Sequence, residues 1–574
     1  MDRQSVIGLT LIGVIFVVWF YLSSYYAAEA PIVKPQTDSL AIIPSKIDSG
    51  KITNNVSLEA PRTFSTDTSW VSFPEKQVSI VTPKYKAVLS STGGEIVSFE
   101  AFGYKTTNGN FVQLISDSLK GNLNYQLKLS NGSTLNTRDL SFDFASSSNK
   151  LELKNETDSV SVNLIATSKN NQSVKLSYVF YGSGYKIDHS VSLENFDGSA
   201  SSQNVVLEWK NGIRFSEHDL ASENGSAESH IYFDGTNDYL NATSTDEVEE
   251  LKRDGLFDWT SIRTKYFAVA LINSDKKAVS ARLYGKTNID VKGLHREEYN
   301  ISQNIPYSGE KIFTKKTTIL LTPLEYDYLK SFDMGLQYMM SLGLPYVVKP
   351  ISEYFILPIF EFLYSFILNW GLVIIAFTII IKTLLYPLTQ SSYKGMKKMQ
   401  EVAPKMKEIQ DKYKDDKEKL QIELLKLYRE NGYNPFGGCL PMVLQMPILF
   451  ALYTVFANAI QLRQSSFLWS PDLSLPDSIL NLPFSIPLYG AHVSLWALLM
   501  AGSMILQMRM TPQTNKEQAV IMMWVFPVMM LLMFNNLASG LNMYYFLFNV
   551  LSVAQQWFYN KRNSTSTLLT VNSK

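Results

Sequence analysis

Hydrophobic and polar positions change their period along the chain. Between about Lys84 and Thr322 apolar residues recur at every second position: Tyr85, Ala87 and Leu89; Leu140, Phe142 and Phe144; Val174, Leu176, Tyr178 and Phe180. Turn signals such as Gly93-Gly94, Asn108-Gly109 and Asn131-Gly132 separate such runs. Period two with regular turns predicts a large all-β sandwich over residues 81–325. From Tyr326 the texture becomes helical and apolar. Ile351–Leu368 is strongly hydrophobic but carries Glu353, Glu361 and Pro358. Acids sit badly in hydrocarbon, so residues 326–368 are expected to end in an amphipathic helix lying in the membrane interface. Further apolar runs at Leu372–Leu388, Phe436–Leu462, His492–Gln507, Ala519–Phe534 and Leu541–Tyr559 predict spans.

A further run, Val6–Leu22, is long enough to cross a hydrocarbon core of about 30 Å. Ala28-Glu29-Ala30 resembles a signal-peptide cleavage site, but the apolar run is long for one and Pro31 follows. A retained anchor over 1–25 is the favoured expectation, which makes six spans in all. Residues 26–80, with Pro, Ser, Thr, Asp and Lys and little periodicity, are expected to be a linker.

Loop charge sets the expected orientation, because positive loops stay in the cytoplasm. Residues 390–432 carry eleven Lys/Arg and eight Asp/Glu, the loop at 509–518 carries Arg509 and Lys516, and the tail carries Lys561, Arg562 and Lys574. The other loops are poor in positive charge, with Arg463 alone in 463–490. The basic segments and both termini are therefore expected in the cytoplasm and the β domain outside, which in a bacterium is the periplasm. The expected divisions are a second span at 369–389, a cytoplasmic helical hairpin at 390–434, four more spans at 435–560 and a short tail at 561–574.

Composition sharpens this division. Of the 574 residues, Lys+Arg and Asp+Glu number 52 each, which excludes a globally basic nucleic-acid binder. Eighteen of the 19 methionines lie from Met334 onward. One Cys and five His exclude a Cys-rich metal site and disfavour His-rich metal chemistry. No phosphate loop, dinucleotide fingerprint or H-E-x-x-H helix occurs, and no acid in the spans offers a proton or sodium relay.

Three constellations remain. Lys382 is the only charge well inside the five C-terminal spans. An unpartnered ammonium is costly there, so it either snorkels to the cytoplasmic headgroups or faces a wet cavity. Met399, Val402, Met406, Ile409 and Tyr413, then Leu420, Leu424 and Leu427, form an apolar seam at helical spacing, as in a self-packed hairpin. Gln445, Asn458, Gln507, Asn542, Asn549, Gln555 and Gln556 are uncharged polar residues in the spans; they bond neighbouring helices or form the wall of a polar groove.

The run Asn434-Pro435-Phe436-Gly437-Gly438-Cys439-Leu440-Pro441, followed by Gln445-Met446-Pro447, resembles the third-span signature of the YidC family of bacterial membrane-protein insertases. Leu385-Tyr386-Pro387-Leu388-Thr389, Tyr453 to Arg463, and Ser539-Gly540-Leu541 with Tyr544-Tyr545 match in order. Ser91-Thr92-Gly93-Gly94-Glu95 and Lys265-Tyr266-Phe267-Ala268 extend the resemblance more weakly into the β domain. It implies a five-helix core enclosing a polar groove open to the cytoplasm and to lipid, working without a nucleotide or cofactor. It places Lys382 where the family usually has Arg. By the same matching Thr378, Gln445, Met446, Leu449 and Tyr545 resemble groove and substrate-contact positions.

The implied function is non-enzymatic: an insertase and folding chaperone of the bacterial inner membrane. The implied partners are nascent membrane proteins, the lipid bilayer, the Sec translocon, the translating ribosome and the signal recognition particle receptor, with no specific nucleic acid. Two other classes compete. A transporter or channel with a periplasmic sensing domain needs an intramembrane coupling residue, for which only Lys382 is available. An envelope binding protein with merely anchoring spans leaves Lys382 unexplained.

Overall fold

The computed structural model describes residues 70–115, 122–145, 148–275, 277–289, 295–344, 346–414, 416–431, 440–510 and 520–571. The expected anchor at 1–25, most of the expected linker, the Asn434–Cys439 signature and most of the loop at 509–518 lie outside the described residues. The chain divides near Met339–Met340 into two compact units.

The first unit is a large β-sandwich built from sheets of five, nine and six strands. At the centre of the nine-stranded sheet, Phe267–Asn273 and Lys186–Glu194 flank Ile312–Pro323, all antiparallel. The predicted alternation is seen along Ser173–Tyr181, where Val174, Leu176, Tyr178 and Phe180 are buried. It fails at Phe267–Asn273, which is buried at every position. A strand covered on both faces has no polar side to show. Contacts between sheets are polar as well as apolar: Gln303 Nε2 donates to Thr260 Oγ1 at 2.8 Å, and Tyr178 Oη to the Gly94 carbonyl at 2.7 Å. Gly94 has φ +61°, and a Cβ there would meet Leu176, so this turn needs glycine. The first strand, Gln77–Val81, lies, all but Val81, within the stretch expected to be linker. Only Val78 and Ile80 of this short strand are buried, too brief an alternation to register in sequence.

The second unit is helical. The helix over Val348–Ile367 has 20 residues and is the one described helix long and apolar enough to cross a membrane by length and composition. It is also the segment expected to lie in the interface. Glu353 in it is buried, with Lys349 Nζ at 3.9 Å one turn away. The second expected span, Leu372–Leu388, is instead a 15-residue helix, Trp370–Leu384. Leu385 caps it, and a new helix, Tyr386–Lys412, begins with Pro387 in its first turn. Proline lacks an N–H and disfavours a helical residue before it, hence the joint.

Leu440–Asn458 follows with 19 residues. Leu495–Met510 begins three residues later than expected because Gly490–Val493 is a strand of a small hairpin with Leu480–Ile486. A π-helical turn at Ile521–Val525 leads into Phe526–Phe534. The final helix, Ser539–Val571, has 33 residues and continues through what was expected to be tail. Aromatic rings lock these elements: Phe360 meets Phe377 edge-on at 4.7 Å and Phe456 at 5.9 Å.

Tyr386–Lys412 and Lys417–Glu430 form the predicted helical hairpin. Val402, Met406, Leu424 and Leu427 make its buried core, with Ile409, Leu420 and Tyr428 packed around them.

Candidate functional site

The Trp370–Leu384 helix starts on Asn369, whose side chain accepts from the Leu372 N–H at 3.1 Å. That cap satisfies one of the orphan donors of the first turn. Val373, Ile374, Phe377, Thr378, Ile381 and Lys382 are then buried, an i, i+3, i+4 face. Lys382 therefore enters the bundle in the last turn, where a positive charge opposes the negative end of the helix.

Lys382 is 3% exposed. Its Nζ donates to Ser552 Oγ of the final helix at 2.5 Å and sits 3.7 Å above the Phe548 ring centroid. Ser552 Oγ in turn donates to the Phe548 carbonyl at 2.7 Å. Tyr393, one helix further on, donates to the Ser552 carbonyl at 3.3 Å. Among the described residues no carboxylate pairs with Lys382. The side chain is thus directed at the final helix, not outward as in snorkelling, and it is enclosed rather than open. One hydroxyl and one ring face are thus its neighbours, in a place of low polarity.

Thr378 lies one turn before Lys382 on the same face, wholly buried, its Oγ1 donating to the Ile374 carbonyl at 2.6 Å. Tyr545 is buried against Phe534 and Tyr544, with ring centroids 5.5 Å and 5.2 Å away. Its hydroxyl has no hydrogen-bond partner among the described residues, and neither does Gln555 Oε1. Gln445, Met446 and Leu449 stand half-buried on the Leu440–Asn458 helix. Lys382 is thus brought to the final helix, with Thr378 one turn before it on the same helix; no hydrogen bond joins Gln445 to Lys382 among the described residues.

The amides expected to bond neighbouring helices do so at several positions. Asn542 donates to the Phe534 carbonyl at 3.0 Å, Asn549 to Ser503 Oγ at 3.1 Å and Gln556 to the Met510 carbonyl at 2.8 Å. With Ser552 they form a buried polar stripe along one side of the final helix, at spacings that keep to one face. Ser552, Phe548 and Ser503 were not identified from sequence. The available signal is spacing: Ser552 follows Asn549 by three residues and Phe548 by four.

At the other end of the bundle, buried Asp477 accepts from Ser494 Oγ at 2.5 Å, Leu495 N–H at 3.0 Å, Trp496 N–H at 3.1 Å and Trp469 Nε1 at 2.8 Å. It caps the Leu495–Met510 helix from a loop. Asn535 accepts from the Ser494 N–H at 2.9 Å and donates to the Tyr489 and His492 carbonyls at 2.8 Å each. No group of three or more potential metal ligands occurs among the described residues.

Two family models match in order: the YidC periplasmic domain over residues 77–354 and the 60Kd inner membrane protein over residues 362–566. The chain is similar to the membrane protein insertase YidC of Chlorobium limicola, 36% identical over 98% of this chain and 96% of that one. It is also similar to the YidC of Prosthecochloris aestuarii, 38% identical over 99% of this chain and 96% of that one. Among solved structures, a crystal structure of active YidC insertase with its first transmembrane domain resolved aligns with 85% of this chain and 94% of its own, at 18% identity and a TM-score of 0.35. With relatives above 30% identity along nearly its whole length, the chain belongs to the YidC family.

Proposed function

We propose that this protein is a membrane-protein insertase and folding chaperone of the bacterial inner membrane, with its β-sandwich in the periplasm. It spans the membrane six times, with both termini and the 390–434 hairpin in the cytoplasm; the supporting observation is the concentration of Lys and Arg in those segments. Its clients are nascent membrane proteins, received from the translating ribosome with the signal recognition particle receptor and handled alone or beside the Sec translocon.

The observation that carries the mechanism is the buried Lys382, with no carboxylate partner among the described residues, facing the polar stripe of the final helix. A polar segment entering hydrocarbon loses hydration at several kcal/mol for each unsatisfied group. Hydroxyls, amides and one cation, supplied by Thr378, Gln445, Ser552 and Lys382, shorten that dry path and attract acidic segments. Met446, Leu449 and Tyr545 offer an apolar surface along which a client helix slides into lipid, where its own hydrophobic transfer drives release. The work requires no bond to be made or broken. The family's usual Arg is replaced by Lys, which keeps the charge and loses the planar fork, so the role assigned is charge attraction and not bidentate binding.

Depletion of this protein, with insertion of newly made membrane proteins as readout, tests the proposal. Insertion should fail and return on re-expression. Normal insertion after depletion, with altered solute flux instead, would favour a transporter.

A further inference from the structure

Between the Leu440–Asn458 and Leu495–Met510 helices the chain makes a small antiparallel hairpin, Leu480–Ile486 with Gly490–Val493. No Asp, Glu, Lys or Arg occurs from Ser478 to Val493. Instead Ile479 is 51% exposed, Leu480 58%, Phe484 61% and Leu488 70%. Nearly every position of Leu480–Ile486 is exposed, so neither face of the ribbon packs on a core. A two-stranded ribbon is marginal by itself in water, and a contiguous apolar surface of this kind marks a contact.

The hairpin is nevertheless held firmly at its base. Asn535 donates to the Tyr489 and His492 carbonyls, and His492 Nε2 lies 2.9 Å from the Asn535 carbonyl. Asn536 donates to the Leu488 carbonyl at 3.1 Å. Gly490 has φ +96°, and a Cβ there would lie 2.6 Å from Asn536 Oδ1, so the two corners are in close apposition. At the turn Leu488 holds φ 67°, a left-handed conformation costing a leucine roughly 1–2 kcal/mol. The corner thus holds an apolar side chain outward at a position where Gly or Asn would be more comfortable.

We propose that this hairpin rests in the outer headgroup–acyl boundary of the bilayer, with Phe484 and Leu488 as its anchors. The inference rests on the proposal that the adjoining helices span the membrane. It is continuous with their lipid-facing surface: the Leu495–Met510 helix begins two residues after the hairpin and exposes Leu498 and Leu506. The hairpin lies at the start of that helix. The ribbon does not go deeper, because the unpaired N–H and C=O groups of its edges need water or headgroups. Pro483 and Pro487 remove two of those donors. Trp469, a ring suited to the interface, stacks on Trp496 at the start of the adjoining helix.

The test uses full-length protein in liposomes, with Cys439 replaced and single cysteines at Phe484 and at Leu506 carrying an environment-sensitive fluorophore. Lipids bearing a nitroxide either just below the headgroup or near the acyl end serve as quenchers. At 484 the emission should be blue-shifted relative to detergent-free denatured protein and quenched more by the shallow nitroxide than by the deep one. At 506 both lipid quenchers should act. Quenching at 506 with water-like emission and no lipid quenching at 484 would overturn the hairpin proposal alone. Absence of lipid quenching at both positions would overturn the spanning reading and the hairpin with it. Blue-shifted emission at 484 without lipid quenching, turning water-like as the protein is diluted with more lipid, would replace lipid by a second copy as the occupant. The Phe484→Ser, Leu488→Ser pair, with the fluorophore moved to Ile486, should abolish the shallow quenching there; persistence would count against the anchors named.

Discussion

Lys382 Nζ lies 2.5 Å from Ser552 Oγ, joining the last turn of one helix to the middle of the longest described helix. The two residues are 170 positions apart in sequence. The contact gives the ammonium its one hydrogen bond among the described residues and fixes where its charge stands.

Charge sign at 382 should therefore govern clients with acidic translocated segments. Lys382→Arg should retain activity, Lys382→Glu should lose on the order of tenfold in insertion rate, about 1.4 kcal/mol, and Lys382→Ala should fall between. Clients without acidic segments should respond least. Ser552→Ala should lower thermal stability by about 1–3 kcal/mol, with Ser552→Thr restoring most of it, since the threonine keeps the hydroxyl. Paired-client insertion assays and unfolding of detergent-solubilised protein check the two halves. Equal insertion of both client types by the Glu variant would remove charge attraction from the mechanism.

The helical hairpin of Tyr386–Lys412 and Lys417–Glu430 should be needed for receiving clients but not for the bundle. Leu424→Ala removes a side chain from the seam around Val402, Met406 and Leu427 and should cost the hairpin about 2–4 kcal/mol. Replacing residues 391–431 by a short flexible linker should slow insertion while the protein still integrates and resists extraction. Unchanged kinetics would reduce the segment to a connector.

Stability of the β-sandwich should peak at intermediate pH. Burial pushes the Glu297 carboxyl up to about 8, against a hydrogen bond from Tyr299, and that of Glu223 up to about 7. The folded form holds these protons more tightly than the unfolded one, so their contribution is full below the ordinary glutamate range and is lost as pH rises towards 7 and then 8. Burial lowers His189 to about 3. Its contribution is full above the ordinary histidine range and is lost as pH falls towards 3. Each group adds a slope of up to about 1.4 kcal/mol per pH unit. Glu297→Gln should flatten the alkaline limb and His189→Phe the acid limb in thermal scans of the whole protein. Unchanged limbs would show that these groups relax into water without cost.

Asp477 should matter more than a surface cap. It meets four donors in a buried loop, so Asp477→Ala should lower stability by about 2–3 kcal/mol, above the usual loss of an exposed cap. Asp477→Asn, which keeps one acceptor oxygen, should retain part of it. Thermal unfolding monitored at Trp469 and Trp496 would resolve the difference, and identical melting of all three proteins would argue against the cap.

Much of the sandwich was legible because strands with one solvated face advertise it every second residue, as along Ser173–Tyr181. Phe267–Asn273 carries no such mark, being enclosed on both sides. Helix ends were less legible than helices. Hydropathy carried the second apolar run past Leu384, whereas Pro387 and local geometry end it there. The start of Leu495–Met510 depends on Asp477, a polar residue 18 positions upstream that no local pattern connects to it. Lys382 was conspicuous as a lone charge in an apolar run. Its partners Ser552 and Phe548 were not, since a serine or phenylalanine in an apolar helix is unremarkable until the fold brings a lysine to it.

The joint at Leu385 has a mechanical consequence. One residue separates the helix that carries Lys382 from the 27-residue helix Tyr386–Lys412, so the latter acts as a lever about 40 Å long with its fulcrum three residues from the ammonium. A rotation of about 10° at that fulcrum sweeps the far tip through roughly 7 Å while moving Lys382 by a small fraction of that. Whatever pulls on the tip of the hairpin therefore works with large mechanical advantage on the hydrogen bond to Ser552.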